Sequence, residues 1–115
     1  MMMPRLATKF LIGVAIATSA ASPLRAEDAI TYETTLKDAA FTVSEIKVPA
    51  GKPFIIKMTN ANEAPAELEA KELKIEKVAA GNSTIVVRVK AMEPGKYLFV
   101  NEYQEDVAMG YVIVE

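Results

Sequence analysis

The sequence predicts an all-β sandwich, and three observations carry that expectation. Strand-like segments rich in Thr, Val, Ile, Tyr and Phe recur about every 8–12 residues. The breaks between them are turn chemistry: Pro49-Ala50-Gly51-Lys52-Pro53, Ala80-Gly81-Asn82 and Glu93-Pro94-Gly95. Helical periodicity is weak throughout, except where Ala66 to Val78 mixes Ala, Glu, Leu and Lys.

The elements follow in order. Ile30 to Leu36 alternates, with Thr and Tyr between apolar positions, and Glu45 to Val48 puts Ile46 and Val48 on one face. Phe54 to Thr59 follows the Pro-Gly-Pro turn and ends in a polar loop, Asn60 to Pro65. Glu67 to Ala70 and Leu73 to Val78 read as two short strands, since Leu68 and the Leu73/Ile75 pair keep a two-residue period; a helical turn between them would not alter the fold. Thr84 to Lys90, Lys96 to Tyr103 and Met109 to Glu115 complete the set. Seven to eight short strands fit two packed sheets, and tight turns between neighbours predict antiparallel pairing. Tyr97 follows the Pro94-Gly95 corner, where its hydroxyl can bond back to backbone, a recurring device of Greek-key sandwiches.

Residues 1–26 read as a secretory signal: Arg5 and Lys9, a short apolar run from Phe10 to Ala17, small residues, then Leu24-Arg25-Ala26 before the cut. The run is shorter than the roughly 20 apolar residues a spanning helix needs. The expected mature protein is a single domain, residues 27–115, placed in the periplasm and not inserted in the membrane. Three of the 13 basic residues and none of the 15 acids lie in the signal, leaving the mature chain a net charge of −5. Phosphate binding needs a basic face, so a nucleic-acid partner is not expected.

The chain has no Cys and no His. Disulfides, thiolate chemistry, most zinc sites, hydrolase triads and blue-copper centres are thereby excluded.

From Leu36 to Glu115 the chain resembles the small cupredoxin-like proteins of bacterial periplasms, and in particular the cupredoxin component of ferrous-iron uptake systems. The resemblance rests on Leu36-Lys37-Asp38 with Phe41, on Glu45 to Phe54, on Asn60 with Ala64-Pro65, and on Glu67-Leu68-Glu69. It continues through Leu73 to Val78, Pro94 to Phe99 and Glu102-Tyr103. It implies a cupredoxin-like Greek-key β-sandwich. In that family one ligand, normally His, follows the Asn-rich loop, at the place of Glu67. A Tyr-x-Phe strand leads into Cys, His and Met, at the places of Asn101, Gln104 and Met109. The ligand spacing survives and the soft ligands do not. Relatives also carry His shortly after the Asp, where this chain has Ala39 and Ala40, and at the place of Gln104.

The donors left near that place are mostly hard: Glu67, Glu69, Glu102 and Gln104, with Met109 as a soft exception. Glu67 and Glu69 lie two apart, so on a strand they share a face while Leu68 enters the core. With Glu102 they form a candidate metal set for iron, manganese or calcium. The same residues also read as an ordinary solvated acidic face. Copper or iron is the metal the resemblance implies, with type 1 copper disfavoured by the missing Cys and His. The implied role is accessory to ferrous-iron uptake, with a periplasmic iron-binding protein or membrane permease as partner. An assisting part in iron oxidation would need copper on imidazoles, so no enzyme activity is expected. The competing expectation is a metal-free interaction module on a cupredoxin scaffold that has lost its ligands.

Overall fold

Alternation decides the faces. In Phe54–Asn60 every second residue, Phe54, Ile56, Met58 and Asn60, is buried, and in Ala66–Ala70 the residues between Ala66, Leu68 and Ala70 are the two glutamates. The computed structural model describes residues 29–115. The expected signal segment and its cleavage site lie outside the described residues. Among the described residues no helix is long and apolar enough to cross a membrane.

Within this span there are nine strands: β1 Ile30–Lys37, β2 Ala40–Phe41, β3 Glu45–Val48, β4 Phe54–Asn60, β5 Ala66–Ala70, β6 Ile75–Ala79, β7 Ser83–Val89, β8 Gly95–Asn101 and β9 Met109–Val114. They form two sheets, β2-β1-β4-β7 and β3-β9-β8-β5-β6. The two-residue β2 has too few residues to show a period and was not expected. The segment from Ala66 to Val78 is two strands joined by a single 3-10 turn, Lys71–Leu73. Strand β8 stops at Asn101, and Glu102–Gln104 turns into 3-10 geometry, so the expected strand through Tyr103 ends two residues early.

Sequence neighbours joined by short connections pair antiparallel, as expected, and two pairs of non-neighbouring strands run parallel. β1 runs parallel to β4 over Ile30↔Phe54 to Leu36↔Asn60, and β3 runs parallel to β9 over Glu45↔Tyr111 to Val48↔Val114. Both pairs join strands distant along the chain, which turn chemistry cannot specify. Consecutive β5–β6 and the β8–β9 pair are antiparallel.

The core lies between the sheets, with Leu36, Met58, Leu68, Phe99 and Val112 fully enclosed. Burying a side chain of this size stabilises by about 2–3 kcal/mol. Phe41 meets Phe99 edge to face, with centroids 4.9 Å apart. Gly110 stands opposite Phe99 in the ladder, and a Cβ there would overlap both the Phe99 ring and the Ser44 carbonyl. Tyr97 Oη donates to the Glu93 carbonyl at 2.8 Å, as the corner chemistry predicts. β6 and β7 are edge strands of opposite sheets, and Lys77 Nζ reaches the Val86 carbonyl at 3.5 Å. A lysine on an edge acceptor discourages further strand pairing.

Candidate functional site

Strand β8 carries Tyr97, Phe99 and Asn101 along its inner face and delivers Asn101 to one end of the sandwich, where the residue is 3% exposed. A buried carboxamide must find partners. Asn101 Oδ1 accepts from the Glu67 N–H at 3.0 Å and the Tyr103 N–H at 3.3 Å, capping the 3-10 turn. Its Nδ2 donates to Gln104 Oε1 at 2.8 Å. The loop beyond closes on itself, since the Ala108 N–H donates to the Gln104 carbonyl at 2.8 Å and the Asn101 N–H to the Ala108 carbonyl at 3.0 Å.

Two more asparagines hold the adjoining loops. Asn60 is fully buried; its Nδ2 faces the carbonyls of Ala64, Ala79 and Ala80 at 2.9–3.3 Å, and its Oδ1 accepts from the Asn62 N–H at 3.1 Å. Asn62 clasps Asp38, accepting from its N–H at 2.8 Å and donating to its carbonyl at 2.9 Å. That clasp supports Asp38 at a φ of 55°, in the left-handed region Asp tolerates. Between these loops lies an open cavity of about 480 Å³, lined among others by Ala39, Pro65, Asn101 and Gln104.

This end of the sandwich does not fit a type 1 copper centre. Such a centre needs a thiolate and imidazoles, and the chain has neither. The amide that stands there has both acceptor lone pairs on backbone N–H groups, and the Gln104 oxygen is engaged by Asn101.

The carboxylates collect elsewhere, on the outer face of the five-stranded sheet. Glu67 and Glu69 point outward from β5 while Leu68 is buried, as their spacing predicts. In the β5–β6 hairpin Glu69 lies directly opposite Glu76. Glu102 joins them from the first residue of the 3-10 turn after β8. One carboxylate oxygen each from Glu67, Glu76 and Glu102 lie within 4.8 Å of one another. Oxygens around one hard cation are at most about twice a 2.0–2.6 Å bond apart, so this spacing suits a divalent ion. Glu69 stays next to the cluster. Partial burial pushes its pKa above the usual carboxylate value, the neighbouring Glu102 and Glu76 push the same way, and Lys71 opposes them.

The five residues singled out from the sequence thus separate. Glu67, Glu69 and Glu102 come together. Gln104 instead lines the end cavity and bonds Asn101. Met109 pairs with Val100, which pairs with Glu69, so it sits two strands from Glu69, about 10 Å across the sheet. Glu76 was missed. Its only signal was hairpin register, since Glu69 and Glu76 become opposite once the Lys71–Lys74 turn is placed.

A model of the cupredoxin-like domain family matches residues 9–114. Among curated proteins, RP394 of Rickettsia prowazekii (strain Madrid E) is 29% identical over 80 residues, covering 70% of this chain and 64% of that protein. Among solved structures, the metal-binding domain of the Streptococcus pneumoniae D39 Cu(I)-exporting P-type ATPase CopA superposes with a TM-score of 0.67 at 18% identity, covering 81% of this chain and 91% of that one. Auracyanin A, a blue copper protein from Chloroflexus aurantiacus, gives 0.64 at 18% identity, covering 74% and 98%. At such identities the structural likeness is one of fold.

Proposed function

The chain belongs to the cupredoxin-like domain family, and on that premise we propose that it captures a hard divalent cation on its outer sheet face rather than relaying electrons through copper. One observation carries this reading: carboxylate oxygens, one from each of Glu67, Glu76 and Glu102 on three different elements, converge within 4.8 Å of one another. Three carboxylates supply charge and oxygen donors, which suits Fe(II) or Mn(II) better than Cu(I). The cation is cargo. A shallow site with open coordination positions releases it readily, as an accessory protein of ferrous-iron uptake requires when it hands iron to a periplasmic binding protein or permease. The same placement presumes export by the N-terminal signal.

Calorimetric titration with anaerobic Fe(II), Mn(II) and Cu(II) tests the reading. Binding in the roughly 10⁻⁶–10⁻⁴ M range, weakened at least about tenfold by Glu67→Gln or Glu102→Gln, supports it. Absence of heat and of thermal stabilisation with all three metals rejects it. The metal-free docking module is then the better reading, favoured by the engagement of both Asn101 side-chain atoms and the Gln104 oxygen in hydrogen bonds within the protein.

A further inference from the structure

The outer face of the five-stranded sheet has a pattern that a single copy leaves unexplained. Strands of a two-layer sandwich ordinarily alternate, apolar inward and polar outward. β9 does not: its outward residues are Met109, Tyr111 and Ile113, and its inward Val112 and Val114 are buried. β8 likewise turns Leu98 and Val100 outward on the side opposite Phe99. Apolar residues on both faces mark strands covered on both faces. Val100 is already covered within one copy and Tyr111 and Ile113 are half-buried, yet Leu98 is 43% and Met109 40% exposed.

Charge is divided across the same face. The ladder sets Met109, Val100, Glu69 and Glu76 in one row, so the row ends in two acids at the β5–β6 corner, beside Glu67 and Glu102. Two rows away Lys47, Ile113 and Lys96 lie side by side, so that row carries a lysine on either side of its apolar centre. Lys96 leans over the Tyr111 ring with Nζ 4.4 Å from its centroid. Glu45, beside Tyr111, tempers the lysine corner, and Lys71, beside Glu69, tempers the acidic one, without reversing either. The face therefore runs from an acidic corner through an apolar band to a lysine corner.

We propose that this face is a self-complementary interface whose partner is a second copy of the chain. A two-fold axis lying in the interface, across the band, sets the acidic corner of each copy on the lysine corner of the other. The same axis stacks the two apolar bands on one another. A basic or acidic foreign partner would satisfy one corner and oppose the other; a second copy satisfies both. Five strands spaced about 4.8 Å apart give roughly 400 Å² of planar face per partner, about 800 Å² in all, less than a stable specific interface buries and in the range of transient contacts. The dimer is accordingly weak and sensitive to salt.

Sedimentation velocity of the purified protein tests this in EDTA, which keeps the result independent of cation capture. A concentration-dependent dimer is expected at about 20 mM salt, with a dissociation constant raised at least about tenfold at 300 mM. Lys47→Glu with Lys96→Glu, and separately Glu69→Lys with Glu76→Lys, each weaken self-association at least about tenfold. An equimolar mixture of these two variants forms a heterodimer tighter than either homodimer, because the exchanged charges again face their opposites. Leu98→Ser weakens association with no change of charge, and melting curves confirm that each variant is folded. A wild-type protein that stays monomeric throughout overturns the proposal. So does a dimer that neither salt nor the charge exchange moves.

Discussion

The side-chain oxygen of Asn101 lies 3.0 Å from the backbone nitrogen of Glu67, across 34 residues of sequence. One buried amide thereby fastens β5 to the end of β8, and through Gln104 it fastens the loop that follows. Asn101→Ala strands two backbone N–H groups and removes a cap, so a loss of about 2–3 kcal/mol is expected in urea unfolding. Hydrogen exchange at Glu67 and Tyr103 accelerates in the same variant.

Cation capture and stability separate at Glu76. Its carboxylate belongs to the converging trio and also faces Glu69 across the hairpin. Like charges directly opposite one another destabilise a strand pair. Glu76→Gln is expected to raise the melting temperature slightly without metal and to cut Mn(II) affinity at least about fivefold. Saturating Mn(II) at about 100 times its dissociation constant stabilises the wild-type protein by about 2.7 kcal/mol, and the variant by less at the same concentration.

Glu69 gives a pH dependence with a definite sign. Its pKa in the folded protein is raised, chiefly by partial burial and then by Glu102. The folded state therefore holds the Glu69 proton more tightly than the unfolded state does. That contribution is fully present below the unfolded pKa and is lost as pH rises through the folded one. Glu69→Gln removes it. Expected unfolding midpoints are higher for the variant than for wild type at neutral pH, and the gap closes as pH falls into the ordinary carboxylate range.

Gly110 tests the packing of the core between β3, β8 and β9. A methyl group there meets the Phe99 ring and the Ser44 carbonyl, and a backbone oxygen cannot step aside as a flexible side chain can. Gly110→Ala is expected to destabilise by about 2–3 kcal/mol. Shortening the ring partner in Phe99→Leu recovers part of the loss, measured as a double-mutant cycle.

Much of the fold was legible because side-chain alternation is a local property. Glu67-Leu68-Glu69 declared its buried and outward faces, Pro94-Gly95 with Tyr97 declared a corner, and the strand positions followed from turns between apolar runs. Composition alone removed thiolate and imidazole chemistry. What alternation cannot state is which strand lies beside which. Spacing along the chain kept Gln104 and Met109 in line with Asn101, yet Gln104 turned to the end cavity and Met109 fell two strands from Glu69. The parallel β1–β4 and β3–β9 pairs, the approach of Glu102 to Glu67 and Glu76, and the side-by-side placement of β8 against β5 were all decided by packing. Each depends on contacts between residues remote in sequence, whose register is set when the two sheets close on one core and not by any short segment read alone.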